Sequence, residues 1–309
     1  MEKTWPAYLE AYESGALMER RDRALGALAG CRLCPRGCGV DRAGGQLGYC
    51  KTGRKAVVAS YSPHHGEEGV LRGREGSGTI FFSGCNLRCV FCQNWETSRG
   101  LEGREETADV IAAMMLKLQE QGCHNINLVT PSHVVPQILE ALFLAVEAGL
   151  KLPLVYNSGG YDSVETLRLL DGIVDVYMPD FKVWDPDRAE RYFSARDYPE
   201  RARAAISEMR RQVGELESDP ASGTARRGVL LRHLVMPGMV ADSRNIFAWV
   251  ARELSRDTYV NVMAQYRPAG EVRSSTAYPE LAREMAQSEY ERALAAAEQA
   301  GLWRFESKS

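Results

Sequence analysis

Three cysteines lie within eight residues, at Cys85, Cys89 and Cys92 in the stretch FFSGCNLRCVFCQN. Thiolates bind metals, and a 4Fe-4S cluster usually takes four of them. Three from one loop therefore leave one iron free for another ligand, whereas structural zinc normally has four protein ligands. The spacing predicts a metal centre with an open coordination position. The alternative is a zinc site completed by a remote histidine, for which His64, His65 and His124 are candidates.

A second group of cysteines precedes the first, in the glycine-rich stretch CRLCPRGCGVDRAGGQLGYCKTG. Its members are Cys31, Cys34, Cys38 and Cys50. Four thiolates suit tetrahedral zinc or an auxiliary iron-sulfur cluster about equally. Metal binding would also explain how a segment with so little apolar surface is ordered. We predict zinc or a second cluster here, with a role in electron delivery, substrate docking or stability.

The remaining cysteine, Cys123, stands alone and is predicted to be a small buried apolar residue.

The composition, with 45% hydrophobic and 26% charged residues, is that of a folded protein. Its formal net charge of -3 argues against a nucleic-acid-binding protein. No stretch reads as a signal peptide or a membrane span, so we expect a cytoplasmic protein. In reducing cytosol, clustered thiols are metal ligands more often than disulfides.

Short apolar runs alternate with stretches of helical period from residue 79 onward. The predicted strands are residues 79–83, 125–129, 153–157, 173–178, 229–235 and 258–263. Strands that alternate with helices indicate a parallel sheet. Periodicity alone is equally compatible with an open doubly wound sheet and with a partial barrel.

The elements that surround these strands are predicted from period, capping residues and glycines. Helices are predicted over residues 5–29, from Thr107 as N-cap, over 135–146 and from a capping box of Asp162 and Glu165. A last helix is predicted within the stretch 281–302, closed by Gly301. Residues 214–228 read as an exposed excursion. We expect residues 1–55 to form an N-terminal helix with the four-cysteine segment, and 56–309 the main domain with a C-terminal helical extension.

The stretch GTIFFSGCNLRCVFCQN resembles the first-strand loop of the radical S-adenosylmethionine superfamily in order, spacing and position. With CRLCPRGCGVDR and YMPDFK, the similarity extends over roughly residues 31–270 to an uncharacterised branch near pyruvate formate-lyase activating enzyme. The resemblance implies an α/β fold, a partial six-stranded (β/α)6 TIM-like barrel. An N-terminal helix and a cysteine-rich metal-binding segment are added to it.

The resemblance also implies a chemistry. Cys85, Cys89 and Cys92 would bind a 4Fe-4S cluster whose fourth iron chelates S-adenosylmethionine. A flavodoxin or ferredoxin would reduce the cluster, and cleavage of S-adenosylmethionine would give methionine and a 5′-deoxyadenosyl radical that abstracts hydrogen. In an activating enzyme the substrate is a glycine of a partner glycyl radical enzyme; another peptide, a small molecule or RNA are alternatives. An iron-sulfur electron carrier or scaffold is the alternative outside this class.

Contacts to the cofactor are expected at the carboxyl ends of the strands. By resemblance they are Phe91, Thr130, Ser132, Asn157, Ser158, Asp180, Lys182, Arg232 and Gln265. Thr130 and Ser132 replace a glycine-glycine-glutamate stretch of the family. Arg232 is the candidate for the cofactor carboxylate, because guanidinium pairs with planar anions. Its neighbour His233 should face away from the barrel interior, because adjacent residues of a strand point to opposite faces.

Overall fold

Parallel strands form the centre of the fold in the computed structural model, which describes residues 4–306. In chain order the strands are β1 (Ala56–His64), β2 (Ser77–Phe82), β3 (Arg104–Glu106), β4 (Ile126–Val129), β5 (Leu154–Ser158), β6 (Val176–Pro179), β7 (Glu217–Ser218), β8 (Ala225–Leu234) and β9 (Tyr259–Met263). Strands β2, β4, β5, β6, β8 and β9 pair in this order and are all parallel. The six predicted strands and their parallel arrangement are therefore confirmed.

The sheet forms a partial barrel because its two ends do not meet. Strand β1 pairs antiparallel with β2 and β3, and β7 pairs antiparallel with β8. Within residues 4–306, no strand pairing joins β9 back to β1 or β2. This is the partial (β/α)6 architecture expected from the sequence. The open side, between β9 and β1, gives access to the barrel interior.

Helices cover the outside of the sheet. They are α1 (Tyr8–Glu13), α2 (Ala16–Gly26), α3 (Gly69–Arg72), α4 (Trp95–Ser98), α5 (Ala108–Glu120), α6 (Val135–Glu147), α7 (Val164–Arg168), α8 (Pro186–Phe193), α9 (Tyr198–Val213), α10 (Val240–Trp249), α11 (Glu271–Ser274) and α12 (Gln287–Gln299). In α6 the predicted apolar stripe is buried, including Ile138, Leu139 and Leu142. Burying each such side chain contributes about 1.5–3 kcal/mol, which holds α6 against the sheet.

Four predictions about these elements need correction. The helix predicted over 5–29 is interrupted at Gly15, whose φ of 81° lies in the left-handed region. Strand β6 begins at Val176 rather than at residue 173, because the Ile173 N–H bonds to Leu170 O within a turn. The segment 214–228 is partly a hairpin, since β7 pairs with β8. The C-terminal helix begins only at Gln287.

The capping box predicted at Asp162 and Glu165 is also wrong. Ser163 is the N-cap of α7 and accepts a hydrogen bond from Thr166 N. Asp162 is buried and accepts hydrogen bonds from Tyr156 Oη at 2.8 Å and Ser158 Oγ at 2.7 Å. It cannot cap the helix because two hydroxyls of β5 already hold its carboxylate. Thr107 does occupy the N-cap position of α5, although its side chain makes no capping bond.

The N-terminal helices pack on the outside of the barrel. Tyr8 and Leu17 are fully buried, and Tyr8 Oη donates to Leu152 O at 2.9 Å. Cys123 is buried, as predicted. None of the helices within residues 4–306 is long and apolar enough to cross a membrane.

Candidate active site

The loop after β2 brings Cys85, Cys89 and Cys92 to one cavity of about 150 Å³, called here the cysteine cavity. Gly84, with φ of +82°, and Arg88, with φ of 54°, turn the chain on either side of Cys85. Cys92 N donates to Cys89 O at 3.2 Å. Cys89 is buried, and the other two thiols are partly exposed. The three cysteines are therefore brought together by the local turns of the loop.

The donor set of this cavity suits an iron-sulfur cluster. Within residues 4–306, no three Cys, His, Asp or Glu side chains are arranged to hold one metal ion. A 4Fe-4S cluster takes each thiolate on a different iron, so it needs three thiols facing one space rather than one point. Burial raises the pKa of Cys89, and the charge of Lys182 acts in the opposite direction. Lys182 therefore places a positive charge near the thiols, and this charge favours their thiolate forms.

Histidine does not complete a zinc site on these thiols. His64 lies against Phe81 with ring centroids 6.3 Å apart, outside the cysteine cavity. His124 Nε2 accepts hydrogen bonds from the backbone of Arg74 and Glu75. His65 is near Gly76 and likewise does not line the cavity. The geometry of the described chain therefore favours the cluster over the zinc alternative.

Opposite the thiols, Asp180, Lys182 and Arg232 line the same cavity. Lys182 Nζ lies 2.5 Å from Asp180 Oδ2, and Arg232 Nε lies 2.9 Å from Asp180 Oδ1. Burial alone would raise the pKa of Asp180, but the two cations outweigh burial and the pKa falls below its usual value. The carboxylate is therefore ionised and fixes both cations.

Asn157 and Thr130 complete the predicted residues found at this cavity. Asn157 is the penultimate residue of β5, and its Oδ1 accepts a hydrogen bond from Arg232 Nη2 at 2.6 Å. His233, next to Arg232, contacts Phe181 O and Ser243 Oγ instead. The alternation predicted for this pair is confirmed. Eight of the predicted residues therefore share one cavity: Cys85, Cys89, Cys92, Thr130, Asn157, Asp180, Lys182 and Arg232.

Phe91, Ser132 and Ser158 do not line the cysteine cavity. Phe91 is buried in an aromatic cluster, with centroids 6.2 Å from Tyr192 and 5.9 Å from Phe193. Ser132 and Ser158 are both buried beside Asp162. Ser158 follows Asn157 directly and so points to the other face of β5. In the structure these three residues support the fold around the site rather than line it.

Gln265 lines a second, larger cavity of about 650 Å³, called here the wide cavity. It opens beside the cysteine cavity, and the two share several residues. These are Phe81, Asn94, Val129, Asn157 and Arg232. The wide cavity also reaches Asn261 on β9 and His64 at the end of β1, which form the open side of the barrel.

Glu67 and Glu68 form an acidic pair in the wide cavity that the sequence reasoning missed. Asn127 Nδ2 donates to Glu67 at 2.6 Å, and Asn261 Nδ2 donates to Glu68 at 2.9 Å. Arg232 Nη1 lies 3.6 Å from Glu67 Oε1. Burial and the neighbouring Glu68 raise the pKa of Glu67 to about 8, with the charge of Arg232 acting in the opposite direction. The signal in the sequence was a charged pair between glycines, directly after a strand.

This chain is similar in sequence to known proteins. The model of the radical S-adenosylmethionine superfamily matches residues 79–217, from β2 through β7. An uncharacterized protein of Methanocaldococcus jannaschii is 31% identical over 279 residues, which cover 88% of this chain and 75% of that protein.

One solved structure that is similar in part is a radical S-adenosylmethionine methyltransferase from Kitasatospora setae, bound to tryptophan and an analogue of S-adenosylmethionine. It is 15% identical, with a TM-score of 0.43, and the match covers 62% of this chain and 37% of that protein. The match to the superfamily includes the three-cysteine loop and the strand ends that carry Thr130, Asn157 and Asp180. Residues 79–217 of this chain therefore form a radical S-adenosylmethionine superfamily domain.

Proposed function

We propose that this protein forms a 5′-deoxyadenosyl radical in the cysteine cavity and uses it to abstract a hydrogen atom from a glycine of a partner enzyme. The proposal rests on one observation: the cysteine cavity and the wide cavity lie next to each other. Phe81, Asn157 and Arg232 line both of them. A substrate group held in the wide cavity therefore lies beside the place where the radical would form.

Membership of the superfamily implies a 4Fe-4S cluster and S-adenosylmethionine as cofactors. Together they supply the reductive cleavage that yields methionine and the 5′-deoxyadenosyl radical. The thiolates of Cys85, Cys89 and Cys92 would hold the cluster. The chain itself contributes binding, orientation and exclusion of water.

Lys182 is the better partner for the cofactor carboxylate. An ammonium group has three N–H donors, and Lys182 gives one to Asp180, which leaves two for an anionic ligand. Arg232, the residue expected from the sequence, already donates to Asp180 and Asn157 and lies near Glu67. Asp180 and Asn157 hold Arg232 at the boundary between the cavities, close to the carboxylates of Glu67 and Glu68. Lys182 lies in the cysteine cavity away from that acidic pair, which favours Lys182 as the group that binds an anion.

The wide cavity suits a segment of polypeptide. Amide side chains line it, those of Gln93, Asn94, Asn261 and Gln265, and each offers both a donor and an acceptor to backbone amides. Its volume of about 650 Å³ exceeds that of the cysteine cavity more than fourfold, given about 150 Å³ for the latter. A glycine presents no side chain, so its α-carbon can approach the radical site closely.

A small polar molecule is the second candidate substrate. Glu68 Oε2 is buried and has no hydrogen-bond partner within residues 4–306. A buried carboxylate oxygen of this kind favours a ligand that donates a hydrogen bond. The same radical chemistry would then act on the molecule rather than on a partner protein.

The test begins with anaerobic reconstitution by iron and sulfide, reduction by dithionite and addition of S-adenosylmethionine. We expect 5′-deoxyadenosine from the wild type and none from a Cys85→Ala, Cys89→Ala, Cys92→Ala variant. Cys123→Ala is the matched control, because Cys123 is a buried cysteine that lines neither cavity. An intact cluster that forms no 5′-deoxyadenosine would instead support an electron carrier.

The partner is tested with the glycyl radical enzymes of the host. Incubation with the active protein should produce a glycyl radical signal by electron paramagnetic resonance. A silent spectrum with undiminished 5′-deoxyadenosine removes the activating role. A protein-free extract of small metabolites that increases 5′-deoxyadenosine would then support the second candidate.

A further inference from the structure

The four cysteines of the N-terminal segment, residues 31–50, converge on one small cavity. Cys31, Cys34, Cys38 and Cys50 all line it, together with Arg42 and His133. The chain returns to the cavity because Cys31 N bonds to Val40 O at 2.9 Å and Gly39 N to Cys31 O at 2.8 Å. None of these cysteines has a role in the proposed function above.

A buried cation indicates that this cavity holds negative charge. Arg42 is 1% exposed. Its guanidinium donates to Gly53 O, His133 O and Cys31 Sγ, with no carboxylate among these acceptors. An unpaired buried charge costs several kcal/mol. Thiolates bound to a metal centre would supply the missing anion beside Arg42.

By ligand type, the four cysteines suit tetrahedral zinc and an iron-sulfur cluster equally. Zinc has no redox chemistry, whereas a cluster gains and loses an electron. The packing of the N-terminal segment against the loop of Cys85, Cys89 and Cys92 favours the cluster, because a redox-active centre beside that loop can deliver an electron to it.

The N-terminal segment also touches the three-cysteine loop directly. Arg36 Nε donates to Asn86 O at 2.8 Å, and Arg88 Nη1 donates to Tyr49 O at 3.1 Å. A Cβ placed on Gly84 would lie 2.5 Å from Cys50 O. The backbone of one N-terminal cysteine is therefore packed against the residue that precedes Cys85.

The other side of the N-terminal segment faces solvent. Cys38 is exposed, whereas Cys89 of the barrel loop is buried. The basic side chains Arg32, Lys51 and Lys55 are exposed on the same segment and its continuation. Such a surface attracts an acidic protein by long-range electrostatics. An electron arriving from outside would enter this cavity at the exposed Cys38, whereas the thiols of the barrel loop are buried or only partly exposed.

We propose that Cys31, Cys34, Cys38 and Cys50 bind a second iron-sulfur cluster that relays electrons from an acidic one-electron carrier to the cysteine cavity. The carrier is of the reduced ferredoxin or flavodoxin class. It loses one electron, the N-terminal cluster gains and passes on one electron, and no bond or proton changes. The relay rests on the proposed function, because the radical chemistry consumes that electron.

Metal analysis tests the second site without any enzyme assay. In the Cys85→Ala, Cys89→Ala, Cys92→Ala variant we expect iron and acid-labile sulfide to remain, with a paramagnetic signal after reduction. Adding Cys38→Ser to this variant, a change at an exposed ligand, should remove the signal. Adding Cys123→Ala instead should retain it. Zinc in place of iron, or neither metal, in the triple variant overturns the proposal.

Rapid reduction kinetics test the relay. With a reduced ferredoxin or flavodoxin, we expect the visible absorbance of the cysteine-cavity cluster to bleach at least tenfold more slowly in Cys38→Ser than in wild type. Dithionite, a small reductant, should still support 5′-deoxyadenosine formation by Cys38→Ser. Equal bleaching rates overturn the relay. Loss of 5′-deoxyadenosine from wild type with dithionite would instead contradict the proposed function.

Discussion

Arg232 Nε donates a hydrogen bond to Asp180 Oδ1 at 2.9 Å, from β8 to the residue that follows β6. The same carboxylate binds Lys182 through its other oxygen. One buried anion therefore positions two cations, of which Lys182 lines the cysteine cavity and Arg232 lines both cavities. This connects the geometry of both cavities to a single carboxylate.

Replacement of this carboxylate should destabilise the protein. Asp180→Asn leaves two buried cations without their shared anion, and breaking a buried ion pair costs about 3–5 kcal/mol. Asp171→Asn is the control, since Asp171 pairs with Arg211 at the surface and should cost less than about 1 kcal/mol. Chemical denaturation of cluster-free protein at neutral pH measures both. Equal losses for the two variants would refute a special role for Asp180.

A second prediction separates the fold from the cofactor site at Phe91. Phe91→Ala should destabilise the protein by about 3–5 kcal/mol, because it opens a cavity among Tyr192, Phe193 and Tyr266. Phe91→Leu should retain most of the stability and bind S-adenosylmethionine with unchanged affinity. Thermal unfolding and equilibrium dialysis provide the two measurements. A large loss of affinity in Phe91→Leu would restore Phe91 as a contact to the cofactor.

The strands and the cysteine loop were predictable from the sequence because their signals are local. Each predicted strand is a short apolar run, and Cys85, Cys89 and Cys92 lie within one turn-rich loop. Asp180, Lys182 and Arg232 were chosen by resemblance to the superfamily, and the structure brings them to one cavity because parallel strands end at the same side of a sheet. Features that depend on short spacings in the chain, or on residues at strand ends, could therefore be predicted from the sequence.

Other features depend on contacts that the sequence does not show. Strand β1 begins with the short apolar run AVVA, residues 56–59, but continues into polar residues, and no helical stretch separates it from β2 in the pattern that predicted the parallel strands. Glu67 and Glu68 enter the wide cavity only because β1 pairs with β2. Alternation with Asn157 already places Ser158 on the opposite face of β5, which its prediction as a contact to the cofactor did not take into account. The error at Asp162 could not be seen in the sequence, since its hydroxyl partner Tyr156 is revealed by packing alone.

Lys182 and Gln265 should separate binding of cofactor from binding of substrate. Lys182→Met removes the free N–H donors from the cysteine cavity and should weaken S-adenosylmethionine binding roughly tenfold, about 1.4 kcal/mol. Gln265→Ala changes only the wide cavity and should leave that affinity within about twofold. Equilibrium dialysis with reconstituted protein measures both. The reverse order of effects would show that the cofactor occupies the wide cavity.

The protonation of Glu67 predicts a pH dependence of stability. The pKa of Glu67 is raised from 4.5 to about 8 by burial and by Glu68, with Arg232 acting in the opposite direction. Between these values the folded state binds more protons than the unfolded state. The free energy of unfolding therefore falls as pH rises through this window, by an amount on the order of a few kcal/mol.

Glu67→Gln removes this titration, so its free energy of unfolding should change less between pH 5 and about 8 than that of the wild type. Asp175, whose pKa burial raises to about 7, titrates in the same range but is present in both proteins and cancels from the difference. Glu105→Gln, at an exposed position of β3, is the control and should follow the wild type. Urea denaturation of cluster-free protein across this range gives the comparison. Parallel curves for Glu67→Gln and wild type would show that Glu67 is ionised in the folded state, and that the charge of Arg232 outweighs its burial.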